Sequence, residues 1–349
     1  MAARKRNGRK TAVLLISAGV LLALFLVSLT LGRYGVSVFD VARILFYRFW
    51  RGVGLDSVWP MAVSWTAKAE AAVVNMRLPR VLVACMVGCS LSAAGATFQG
   101  VFKNPMASPD ILGASGGAAF GAALAILFGL SSALITVFAF VGALLTVALV
   151  FLIARRAPGQ STVSLILAGI MIGSLFSAGT SYLKLVADPS NQLPAITYWL
   201  MGSLSGTRLS AILPAAIPMA AGLVPLLLLR WRLNLLTLGD SEARALGVNV
   251  GALRTVLILC ATLVTAASIA VSGTIGWVGL VIPHLSRKLI GSDQRGLLPC
   301  SMLVGAAFLL VVDDVSRNLL ATEIPIGILT AVVGAPFFIW LLLRKEKTQ

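Results

Sequence analysis

Charge is scarce in this 349-residue chain. Charged residues make up 11% and hydrophobic residues 58%, with a mean hydropathy of +0.97. Soluble domains carry about 25% charged residues. A chain this apolar cannot cover a water-facing surface, so lipid must be its solvent. Intrinsic disorder is excluded on the same ground. Four cysteines are too few for a disulfide scaffold in a chain of this length. The single histidine, His284, leaves no His-Glu-x-x-His metal motif and no histidine cluster. A phosphate-cradling G-x-x-x-x-G-K-[ST] loop is missing as well. The Lys-Ser/Thr pairs are Lys10-Thr11 and Lys347-Thr348, and neither follows a glycine. The chain therefore does not hydrolyse ATP by a P-loop of its own. Acidic residues number 12 against 28 Lys and Arg, for a net charge of +16. In lipid such an excess reads as basic residues collected in cytoplasmic loops. No basic cluster with interleaved aromatics lies in a polar segment, so nucleic acid is not an expected partner.

What is present is a series of apolar runs. The first, Thr11 to Leu31, follows five basic residues (Arg4, Lys5, Arg6, Arg9, Lys10). It is longer than the apolar region of a signal peptide, about 7–15 residues, and is read as an uncleaved first helix. An amphipathic region, 33–76, follows, with Trp50, Trp59 and Trp65 suited to an outer membrane interface. Further spans are expected near 78–101, 111–130, 133–154, 163–186, 209–229, two within 253–290, 297–315 and 324–343. Asn104, Pro105, Pro109 and Gly113 break the chain between the second and third. Residues 188–207 are read as a polar outer loop, and 234–254 as a cytoplasmic loop. The expectation is an all-α polytopic membrane protein with about ten transmembrane helices and both termini cytoplasmic. Residues 1–349 are expected to form a single transmembrane domain.

Several side chains stand out. In LGDSEARALGVNV, Asp240 or Ser241 is a candidate N-cap for a short helix ending at Leu246, with Gly247 as its stop. A second short helix is expected from Val248, Asn249 and Val250. Ala243, Ala245 and Leu246 offer a small apolar knob for a cytoplasmic partner, the alternative being an inert connector. Asp313 and Arg317 have the i,i+4 spacing of a helical ion pair, and acids within spans are costly unless paired or functional. Arg77 and Arg80, in RLPR, run against the positive-inside bias. They are interfacial anchors, or they catch the carboxylates of a soluble partner, because a planar guanidinium pairs with a carboxylate through two hydrogen bonds. Cys85 and Cys89 share one helix face and are read as small packing residues rather than soft-metal ligands.

Taken together, four stretches resemble the permease subunits of ATP-binding-cassette importers for iron-siderophores, haem and vitamin B12. They are NMRLPRVLVACMVGCSLSAAGATFQGVFKNPMASPDILGASGGA, LGDSEARALGVNV, SGTIGWVGLVIPHLSRKLIGSD and TEIPIGILTAVVGAPFFIWLLL, in that order along the chain. The resemblance implies pairing with a second permease copy, two cytoplasmic ATPase subunits that use ATP and Mg, and a periplasmic or lipid-tethered substrate-binding protein. No cofactor is implied for this chain. The resemblance assigns ATPase coupling to Asp240, Ser241, Glu242, Ala243, Arg244, Ala245, Leu246 and Gly247. It assigns binding-protein docking to Arg77, Arg80 and Arg317, with Asp313 a departure from the family pattern. The pathway is expected along the fifth and tenth spans, where Ser174, Ser177 and Ser181 are candidate lining residues. The competing readings are an ion-coupled secondary transporter, which would need paired acids near the midplane, and a membrane enzyme, for which no nucleophile–base pair is present.

Overall fold

In lipid a backbone amide has no water to bond, so each apolar run must satisfy its own hydrogen bonds as a helix. The computed structural model describes residues 2–32, 34–54, 63–157 and 162–343, and no strand occurs among them. Arg33, Trp59 and the basic residues Arg344, Lys345 and Lys347 lie outside the described residues.

The helices are α1 (Ala2–Thr30), α2 (Val38–Gly52) and α3 (Ala67–Val101), the last interrupted by a π-helical turn at Ala72–Arg77. After a 3-10 turn at Pro109–Leu112 come α4 (Ala114–Leu127), α5 (Ser132–Arg156), α6 (Thr162–Val186) and α7 (Gln192–Leu200). Next are α8 (Leu209–Leu238), α9 (Asp240–Ala245) and α10 (Val250–Ser272). The last three are α11 (Val278–Ile290), α12 (Gln294–Asn318) and α13 (Ile326–Leu343). Among the described residues, seven helices are long and apolar enough to cross a membrane.

The centre of the bundle is α3, which packs against α8, α10, α11 and α12. In its most apolar stretch 78% of residues are buried, against 11% for α1, which is therefore peripheral. Small residues permit the close approach. A side chain at Gly95 would overlap the Gly279 carbonyl of α11, and one at Gly88 would overlap the Gly305 carbonyl of α12.

Several elements depart from expectation, and α3 begins at Ala67 rather than near 78, running through the π-helical turn. The sixth span does not end at Leu229: α8 runs on to Leu238 through Arg230 and Arg232, because charge ends a lipid-facing stretch without ending a helix. The expected polar loop at 188–207 contains α7, whose start is tied by Gln192 donating to the Leu127 carbonyl at 2.9 Å. The expected second short helix is absent among the described residues. Asn249 instead caps α10 directly, its side chain accepting the Ala252 amide at 3.0 Å.

Candidate coupling and docking sites

At one end of the bundle, α9 is a single short helix held on two sides. The Asp240 carboxylate accepts both bonds from Arg254 Nη2, at 2.9 and 3.0 Å, and lies 3.6 Å from Lys103 Nζ. Partial burial would raise the Asp240 pKa, but the Arg254 and Lys103 cations outweigh it and hold the carboxyl below its ordinary value. Because that carboxylate faces Arg254, it does not cap its own helix; Gly239 occupies the N-cap position without a side-chain bond. The C-terminus follows the expected pattern. Gly247, at φ +78°, donates to the Arg244 carbonyl and Val248 donates to that of Ala243, a Schellman arrangement. The knob differs from expectation: Ala243 is fully buried in the core, while Ala245 is exposed and Leu246 is 61% exposed. Ser241, Glu242 and Arg244 are also exposed.

At the opposite end, Arg77, Arg80 and Arg317 converge, all buried. Arg77 closes the π turn and donates from Nη1 to the carbonyls of Leu29 and Thr30, at 2.9 and 3.0 Å, and from Nη2 to that of Tyr34. It thereby caps the C-terminus of α1, where orphan carbonyls and the helix dipole favour a cation. Arg80 donates from Nε to Asp313 at 2.9 Å and from Nη1 to both Glu323 oxygens at 2.8 and 2.9 Å. Arg317 donates to Asp314 and to the Ser28 carbonyl. The expected Asp313–Arg317 contact is present but longer, 3.8 Å, because Asp313 is engaged by Arg80. Arg80 and Arg317 thus share three acids, Asp313, Asp314 and Glu323, while Arg77 is held, among the described residues, by backbone carbonyls alone. Glu323 does not stand out in the sequence, since its partner lies 243 residues away.

Ser174, Ser177 and Ser181 are exposed along one face of α6. Ser174 donates to the Ile170 carbonyl and Ser181 to that of Ser177, so two of these hydroxyls are satisfied within the helix. They do not line the cavity of about 700 Å³ that opens beside α13. Leu91, Pro109, Asp110, Thr265, Trp277 and Ile328 are among its walls. Trp277 takes a left-handed φ of +69°, a costly conformation for a bulky residue, and it fills the space a side chain at Gly334 would need.

Residues 20–344 match the FecCD transport family. The chain is 41% identical over 321 residues to the molybdate import system permease protein MolB of Haemophilus influenzae, covering 92% of each. It is 39% identical to the hemin transport system permease protein HmuU of Yersinia pestis, covering 98% of this chain and 99% of that one. A solved structure described as an inward-facing conformation of a metal-chelate type ABC transporter superposes with a TM-score of 0.83 at 39% identity, covering 95% of this chain and 99% of that one. The chain is a multi-pass membrane permease and belongs to the FecCD transport family.

Proposed function

We propose that this permease carries a metal chelate (a ferric siderophore, haem or cobalamin) from a binding protein into the cytoplasm, driven by ATP hydrolysis in two separate subunits. The observation that carries this reading is α9: a short helix clamped to α10 through Arg254 yet presenting Leu246 to solvent. In this reading α9 and its flanks, Asp240 to Gly247, transmit ATPase closure. The buried arginine end, at Arg77, Arg80 and Arg317, receives the binding protein. A second copy of the chain completes the pathway, with the serine face of α6 turned toward it. Ten crossings with cytoplasmic termini fit the seven long helices together with the shorter α4, α11 and α13. Coupling requires that ATP and the binding protein prefer different states of the pathway.

The likeness to MolB favours a second reading of the cargo, molybdate. Proteoliposomes holding the permease and its ATPase, supplied with binding protein, test both. ATP-dependent uptake of a ferric chelate, haem or cobalamin supports the first; uptake of molybdate alone supports the second. Uptake without any ATPase would instead indicate an ion-coupled transporter.

A further inference from the structure

A second cavity, about 440 Å³, lies where α1 meets the end of α11, and its walls include Arg9, Lys10, Arg287, Lys288 and Asp293. We propose that it binds the phosphate headgroup of an anionic phospholipid. Asp293 does not cancel the cavity's charge, because Lys10 Nζ holds it at 2.6 Å and Asn234 donates to its other oxygen at 2.8 Å. Arg9, Arg287 and Lys288 are left as the excess. Arg287 donates from Nη2 to Gln99 at 2.6 Å, while its buried Nη1 has no hydrogen-bond partner among the described residues.

The position selects a lipid over a soluble anion. Arg9 and Lys10 immediately precede the apolar stretch of α1, the peripheral helix, where Leu15 and Ile16 are 69% and 66% exposed. Lys288 lies 4.9 Å from the ring centroid of Trp340, an aromatic type that favours the headgroup level. Basic pockets between helices at that level suit anionic headgroups.

The purified permease in neutral detergent is titrated with phosphatidylglycerol, phosphatidylcholine or inorganic phosphate while thermal unfolding is followed. Phosphatidylglycerol is expected to raise the midpoint, with phosphatidylcholine and phosphate doing little. Arg9→Gln with Lys288→Gln should weaken the phosphatidylglycerol response about tenfold. Arg155→Gln with Arg156→Gln, a basic pair elsewhere, should leave it unchanged. An equal response to inorganic phosphate would replace the lipid with a free anion. An unchanged response in the first pair, or equal loss in the second, would overturn the site.

Discussion

Arg80 holds Asp313 through Nε at 2.9 Å while giving Nη1 to Glu323 at 2.8 Å. One guanidinium therefore joins α3, α12 and the segment leading into α13. The two acids are not equivalent: the Asp313 side chain is fully buried and that of Glu323 is 30% exposed. Removing one partner of a buried pair leaves an uncompensated charge, at a cost of about 3–5 kcal/mol, whereas partly exposed pairs contribute about 1 kcal/mol or less. Asp313→Asn should lower stability by about 3 kcal/mol and Glu323→Gln by no more than about 1 kcal/mol. Thermal unfolding in detergent compares them, and equal losses would contradict the assignment.

If the arginine end receives an acidic partner, Glu323 competes for Arg80. Glu323→Gln should then tighten binding-protein association, most clearly at low salt. Arg80→Glu should weaken it. Surface-biosensor titration at two salt concentrations measures both, and an unaltered dissociation constant in each variant would remove Arg80 from the docking surface.

Neighbouring residues of α9 should respond differently. Leu246→Glu places a charge on an exposed position and should abolish ATPase copurification while the permease stays folded. Ala243→Glu buries an unpaired charge and should instead destabilise the fold. Size-exclusion profiles and copurification separate the outcomes; full ATPase recovery with Leu246→Glu would count against coupling through this residue.

Asp293 sets an acid limit. Burial would raise its pKa, but the hydrogen bond from Lys10 and two further donors lower it from 3.8 to about 2. Its folded pKa is depressed, so its stabilisation is present above about 4 and is lost as pH falls toward 2. Asp293→Asn should flatten the pH dependence of the unfolding midpoint in that window. An identical slope in the variant would show that Asp293 does not carry it.

The apolar runs are legible because lipid imposes one solution on them, and the end of α3 at Val101 falls just before the polar break at Asn104 and Pro105, although its start at Ala67 lies about three turns before the expected Leu78. Residues 230–238 mislead because the membrane edge and the helix edge differ there. Gly247 is legible as a stop because its left-handed φ is a local requirement. Ala243 is not, since a small apolar residue looks the same whether it faces solvent or the core. The arginines stand out by charge, but their partners Asp313 and Glu323 are joined to Arg80 only by the fold.

Lys103 lies just beyond the central helix, and it shares Asp240 with Arg254 at the base of α10. If the ATPase pushes on α9 as proposed, these two contacts give the load two routes to the middle of the bundle. The outlying α1, bound at its basic end to Asp293 and at its other end to Arg77 and Arg317, is tied to that bundle at both membrane faces.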